Sequence, residues 1–262
     1  LTAQGEGRDM INLDILPQTA YVFVLVFARL GSMIMLMPAI GEISIPARVR
    51  LLFGLILSAI MMPVVAGSFG PVPSSVPGLA LAVVYEVLVG IFVGMAAQLI
   101  MSALHVAGNI IAMQTGLAFA QNVDPTQGTQ SAMVVSFLSM LAVALIFATD
   151  LDHLLIAAMR DSYILFKPGQ IIPVGDFSQM AVKVVSSAFT LGVQLSAPFI
   201  VFGLVFYLGL GILSRLMPQI QIFFIAMPAN IGIGLALLFL ILGAMMTWFL
   251  QGFEQTMSMF IQ

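Results

Sequence analysis

The sequence predicts an all-α, polytopic integral membrane protein. Of 262 residues, 61% are apolar and only 7% charged, against about 25% charged in ordinary soluble domains. Mean hydropathy is +1.15. Six apolar segments have the length and hydropathy of membrane helices: 15–37, 51–66, 76–113, 131–148, 182–213 and 222–250. Their number and composition predict about six long, partly broken hydrophobic helices arranged as hairpins.

The polar residues 1–9 precede this pattern and read as a leader outside the fold. They lack the charged-then-apolar order of a signal peptide. Segment 15–37 carries Arg29 and ends at Pro38. The following connection, 41–50, holds Arg48 and Arg50 around Pro46. Segment 51–66 is followed by an uncharged turn rich in Pro, Gly and Ser. Segment 76–113 is too long for a simple crossing. It would extend about 57 Å, nearly twice a hydrocarbon core of roughly 30 Å, so it must tilt, break or leave the bilayer. Glu86 and His105 lie within it. Segment 131–148 leads to a mixed, acidic connection over 150–176, and segment 182–213 carries Lys183 and Pro198. Arg215 and Pro218 then precede the last segment, which contains Pro228. Prolines inside apolar segments favour kinked or broken helices. Arg-bearing turns on the cytoplasmic side would put both termini and the acidic connection opposite.

The stretch AGNIIAMQTGLAFAQNVDP at 107–125 is the most informative. It interrupts membrane-grade sequence with Asn109, Gln114, Thr115, Gln121, Asn122 and Asp124, which lipid penalises. Such a segment is buried in protein or lines an aqueous path. Carboxylate and guanidinium groups inside apolar helices are similarly costly. Glu86 therefore pairs with a cation, of which Arg29 is a candidate, or relays protons.

Small residues recur at four-residue spacing as Gly90 and Gly94, as Gly108, Ala112 and Gly116, and as Ala188, Gly192 and Ser196. These stripes let helices approach closely, within the chain or between subunits. Nineteen methionines include Met33, Met35, Met37, Met61, Met62, Met245 and Met246. Either a flexible gasket around a passenger or plain membrane composition accounts for them.

Other chemistries find no support. With a net charge of −3 and eight Lys plus Arg, the chain has no basic surface for nucleic acid. It has no cysteine, no His-Glu-x-x-His, no phosphate loop and no Gly-x-Ser-x-Gly elbow. Asp150, Asp152 and His153 read as chance neighbours in a polar loop. Neither a catalytic residue, a metal ligand nor a cofactor site is expected.

Three further blocks join the 107–125 stretch: ARLGSMIMLMPAIGEISIPARVRL at 28–51, the Asp150, His153, Ser162 and Tyr163 neighbourhood, and SRLMPQIQIFFIAMP at 214–228. In this order the chain resembles the FliR family of flagellar biosynthetic proteins and their injectisome counterparts, the export-gate subunits of type III secretion. The resemblance covers nearly everything after Met10. It implies one copy in a hetero-oligomeric, helical gate with FliP and FliQ, working beside FlhB and FlhA and passing unfolded protein substrates. The gate would sit in the bacterial inner membrane at the flagellar basal body, partly above the bilayer on the periplasmic side. A FliP-like portion would cover 10–180 and a FliQ-like hairpin 181–262.

In the family the loop matching 114–125 contributes to a plug that closes the pore. That makes Gln114, Gly116, Phe119, Asn122, Asp124 and Pro125 the plug candidates. Arg29, Glu86 and Arg215 are buried-charge or assembly candidates, and Arg48 and Arg50 lie near the cytoplasmic entrance. The alternative is a stand-alone secondary transporter of a small solute, coupled through Glu86 and His105.

Overall fold

The computed structural model describes residues 15–41, 45–118, 132–170, 174–217 and 222–261. Seven α-helices occur among them: α1 (Ile15–Leu36), α2 (Ala47–Val65), α3 (Val76–Gln114), α4 (Ala132–Ala148), α5 (Asp152–Leu165), α6 (Val174–Leu216) and α7 (Ile222–Met257). Short 3-10 turns follow α2 at Ala66–Ser68 and α7 at Ser258–Phe260. No strand occurs among the described residues. Five helices are long and apolar enough to cross a membrane, or six if α4 and α5, bent by 76° at their junction, form one span. The protein is an all-α polytopic membrane protein.

One helix lies where the sequence predicts only a connection. Within 150–176, α5 escapes a hydropathy reading because Asp152, His153, Arg160, Asp161 and Ser162 dilute its apolar content. Its buried residues are nevertheless Leu155, Ala158, Met159, Ser162 and Tyr163, the i, i+3, i+4, i+7, i+8 stripe of an amphipathic helix. Helix α6 also starts earlier than the apolar segment, at Val174, and its 43 residues extend about 64 Å. The overlong third segment is one continuous helix of 39 residues. Pro63, Pro198 and Pro228 all lie inside continuous helices, and the sharp bend falls instead at the α4–α5 junction. Around Pro198, Leu195, Ser196 and Phe199 are fully buried, so packing holds the helix through the missing hydrogen bond.

The chain forms two compact units, 1–94 with 159–172, and 95–158 with 173–262. In the first, α1 presents Val22, Leu25, Val26, Leu30, Met33 and Ile34 to the core, a helical stripe. It packs on α2 and on the first half of α3. Glycine makes the α1–α3 approach possible. A Cβ on Gly90 would collide with the Arg29 carbonyl and Ser32 Oγ, and one on Gly94 would lie 2.9 Å from both the Met33 carbonyl oxygen and Leu36 Cβ. At the start of α1, Gln18 donates to the Gly70 carbonyl at 3.0 Å and accepts from the Val72 N–H at 3.2 Å. That amide fastens the α2–α3 connection to α1.

In the second unit the inner face of α3 is Ile100, Leu104, Ala107 and Ile111, all buried. Helix α4 crosses it at Gly108, where a Cβ would meet the Val135 backbone at 2.9 Å, and α6 crosses at Gly192, 3.0 Å from the Ala103 carbonyl. Helices α6 and α7 run antiparallel. Leu191 in the first half of α6 meets Gly252 near the end of α7, and Phe206 and Tyr207 in the second half share a crevice with Ala226 and Met227 near the start of α7. Phe199, Phe249 and Phe253 fill the interior.

The glycine contacts separate two kinds of substitution. Gly90→Ala would force α3 from α1, and overpacking of this sort costs about 1–3 kcal/mol. Gly209→Ala has open space around it and gains helix propensity of up to about 1 kcal/mol. Thermal unfolding of the two detergent-solubilised variants is expected to show a lowered midpoint for the first and an unchanged or raised one for the second. Equal midpoints would contradict the packing described.

Candidate functional site

Two arrangements of polar groups stand out, one in each unit. In the first unit, α1 and α3 bring Arg29 and Glu86 together with 0% and 1% of their side chains exposed. The Arg29 Nε–H donates to Glu86 Oε2 at 2.5 Å. Its Nη1 donates to the Ser162 carbonyl at 2.8 Å, and Nη2 to the Phe166 carbonyl at 2.9 Å. The guanidinium carbon stands 4.1 Å from the centroid of the Tyr163 ring. The Ser162 carbonyl, in the last turn of α5, also accepts from the Phe166 N–H at 2.9 Å, and Phe166 is the residue just past the helix. Arg29 thus neutralises a buried carboxylate and binds the end of α5, while the ring face adds a cation–π contact.

The surroundings of Arg29 are aromatic. Tyr163 meets Phe69 edge-on at 5.9 Å and Phe166 meets Phe92 at 6.0 Å, while the Tyr85 hydroxyl donates to the Lys167 carbonyl at 3.1 Å. Water is excluded from the pair, so each charge depends on the other. Removing one partner of such a pair leaves an uncompensated charge.

In the second unit, the polar stretch begins where α3 ends. Thr115 is buried, and its hydroxyl turns back to the Ile111 carbonyl at 2.8 Å. Gly116 has φ +75, the left-handed conformation with which helices commonly terminate. Asn230 of α7, 3% exposed, donates from Nδ2 to the Gln114 carbonyl at 3.2 Å. Gly203 of α6 lies against the Gln114 side chain and Gly234 of α7 against the Thr115 methyl, each so close that a Cβ would clash. Beside this junction lies a small, open crevice bordered by Phe206, Tyr207, Met227 and Asn230. The Asn230 Oδ1 is buried and accepts no hydrogen bond from any described residue.

Of the residues singled out from sequence, the structure brings Arg29 and Glu86 into contact and puts Gln114 and Gly116 at the α3 terminus. Phe119, Asn122, Asp124 and Pro125 lie outside the described residues, as do residues 1–9. Arg215 is exposed in the last turn of α6, where a cation complements the helix dipole. In the described chain it is not a buried charge, because residues 211–217 at the end of α6 are all exposed. Arg48 is exposed at the start of α2, and Arg50 is partly covered, donating to the Gly41 carbonyl at 3.3 Å. His105 is exposed and about five turns from Glu86 along α3. Asp150, Asp152 and His153 converge at the α4–α5 bend with ligand-type atoms within 4.8 Å, mostly exposed.

Sequence reasoning missed Asn230. The available signal was an amide inside an apolar helix, four positions before a glycine.

Residues 20–256 match the bacterial export proteins, family 1. The chain belongs to this family. It is 49% identical over 229 residues to the flagellar biosynthetic protein FliR of Caulobacter vibrioides, covering 87% of this chain and 91% of that one. The protein of the same description from Escherichia coli is 33% identical over 212 residues, 80% of each chain. That from Bacillus subtilis is 27% identical over 235 residues, 86% of each.

In this export protein the Arg29 cluster predicts strong coupling. Glu86→Leu alone is expected to cost about 3–5 kcal/mol, because Arg29 stays charged and buried. Combining it with Arg29→Met should cost clearly less than the sum of the single changes. Unfolding midpoints of the four proteins in one detergent measure the coupling, and additive losses would show that the pair does not act as a unit.

Proposed function

We propose that this chain is a subunit of a flagellar protein export gate in the bacterial inner membrane. On this reading one copy assembles with FliP and FliQ subunits into the channel through which unfolded flagellar substrates pass, beside FlhB and FlhA. The observation that carries the proposal is the 49% identity to a protein described as flagellar biosynthetic FliR, spread over 91% of that protein's length. Likeness of that extent leaves little room for a different architecture between the helices. The other relatives named above carry the same flagellar description, which favours flagellar over injectisome service.

Surface chemistry supports an assembled state. Helices α6 and α7 carry broad apolar faces, with Leu204 62%, Ile212 65%, Phe239 72% and Leu240 81% exposed. Such faces need lipid or sister helices against them. The 181–262 portion is the part we assign to a FliQ-like hairpin, and 10–180 to a FliP-like portion. Energy for export comes from other components, and the gate supplies a path and a closure. Glu86 speaks against its use as a coupling group in a small-solute transporter, because it is committed to Arg29.

The closure is assigned to the segment 114–125. Gln114 and Gly116 set its point of departure from α3, Phe119 supplies an apolar stopper, and Asn122, Asp124 and Pro125 form the turn that anchors it. Arg48 and Arg50 belong to the cytoplasmic entrance in this scheme, and Arg215 to a subunit contact.

Two measurements test the proposal. Purification in mild detergent from cells expressing the flagellar operon, followed by native mass spectrometry, should yield a complex with one copy of this chain among several small membrane proteins. A monomer that transports a solute in vesicles would overturn it. Within the complex, Phe119→Ala should raise ion leakage in cells that are not exporting, and an unchanged leak would remove Phe119 from the seal.

A further inference from the structure

We propose that the polar cleft between α6 and α7 seats a helix of another membrane subunit, an apolar helix with an amide or hydroxyl on every fourth residue of one face. The inference rests on the gate reading above and names a surface of this chain that the assembly covers.

The cleft lies wholly in the second unit. Two adjoining hollows share Leu191, Gln194, Gly252 and Gln255 as walls. Their polar side chains are Ser186, Ser187, Thr190 and Gln194 on α6, and Gln251 and Gln255 on α7. Positions 186, 190 and 194 are four apart, as are 251 and 255, so each set forms a row along its helix. From Ser186 to Ala197 the trough follows about 16 Å of α6, or about three turns. Gly252 and Ala197 also belong to its walls, which leaves room for another helix to approach closely. None of the described walls is charged.

The polar rows have hydrogen-bonding capacity that the chain does not use. Thr190, Gln194, Gln251 and Gln255 are exposed, and among the described residues their side chains make no hydrogen bond. Buried hydroxyls of the same helices behave differently. Ser196 Oγ donates to the Val193 carbonyl at 3.0 Å and Thr256 Oγ1 to the Gly252 carbonyl at 2.9 Å. Beside the α6 row, Val182, Val185 and Phe189 are exposed, and Trp248 stands exposed at the edge of the cleft.

The chemistry of this surface selects what covers it. Hydrocarbon would strand the amides of Gln194, Gln251 and Gln255 without partners. Water would satisfy them but leave Val182, Val185, Phe189 and Trp248 bare. A small solute calls for an enclosed pocket, whereas this trough is open along its exposed walls. A helix of membrane composition meets both demands. It presents apolar residues to the flank and amide or hydroxyl groups to the rows, which is how helices associate in lipid. Because the walls carry no charge, a charged residue on the contacting face would be buried unpaired, so that face is uncharged too.

The test uses the complete complex, purified in mild detergent from cells expressing the flagellar operon. Each interhelical hydrogen bond lost should weaken association roughly threefold, so Gln194→Leu with Gln255→Leu should lower the share of this chain recovered in the complex about tenfold. The same double variant, purified alone, should unfold at the parent midpoint, because both side chains are exposed and make no bond within the described chain. Gln251→Cys supplies a single thiol in a chain without native cysteine. That thiol should react with a water-soluble maleimide in the isolated chain and lose this reactivity in the complex. A photoreactive group attached there should cross-link to an apolar helix of another subunit, identified by mass spectrometry of the joined peptides.

Full assembly of the double leucine variant would overturn the docking site and leave the gate reading standing. A thiol that stays reactive in the complex, marking a trough filled with water, would do the same, as would a cross-link to lipid or to a second copy of this chain. A lowered midpoint of the isolated double variant would show that the amides serve this chain's own fold, which also overturns the inference. If the unaltered chain enters no complex, the gate reading falls and the docking site falls with it.

Discussion

The buried guanidinium of Arg29 is the constraint on which the first unit depends. A charge sealed from water in an apolar fold is tolerable only if its donors are used and its charge is balanced. Arg29 meets both conditions by drawing on three kinds of group: a carboxylate from α3, carbonyls at the end of α5 and the Tyr163 ring of that same helix. Its planar fork distributes several donors in fixed directions, which a lysine ammonium would not do. The positions of α3 and α5 around α1 follow from those directions. Gly90 belongs to the same device, since Glu86 reaches Arg29 only if α3 lies close against α1, and Gly90 removes the side chain that would prevent it.

The second unit solves a related problem without charge. There the helices approach at Gly108, Gly203 and Gly234, where a Cβ would overlap a neighbouring residue, and at Gly192 and Gly252, where it would fit only tightly. Apolar residues in lipid gain little from being hidden from one another, so close backbone packing and a few amide or hydroxyl contacts must hold such helices together. Asn230 to Gln114 is a contact of that kind. The unit therefore depends on shape where the first depends on an ion pair. Exchanging a single glycine for a larger residue would act on one crossing, whereas losing Arg29 would act on three elements at once.

Much of the fold was legible because lipid imposes a strong compositional rule. Helices α1, α3 and α7 begin within a residue of where hydropathy puts them. The rule fails where helix and membrane part company. Helix α5 alternates charged and apolar residues, so averaging hid it, although Leu155, Ala158, Met159, Ser162 and Tyr163 mark its buried stripe. The first two turns of α6 were hidden by Gly175, Asp176, Ser178 and Gln179 in the same way. At the level of sites, the cost of Glu86 was readable from its apolar context. Its partner 57 positions away in the chain was one of several cations. The Ser162 and Phe166 acceptors are backbone groups, which leave no mark in a sequence at all.

Helix α3 belongs to both units and joins their two devices. From Gly78 to Gln114 it contains no proline, and hinge or kink sites in helices are otherwise rare. Glu86 ties the first half of this helix to Arg29, and the Gln114 carbonyl at its last residue accepts from Asn230. The second contact accounts for part of the composition of the 107–125 stretch. Ala107, Gly108, Ile111, Ala112 and Thr115 are buried, whereas Asn109 and Met113 are exposed, so the stretch begins as a helix with one packed face and one open face.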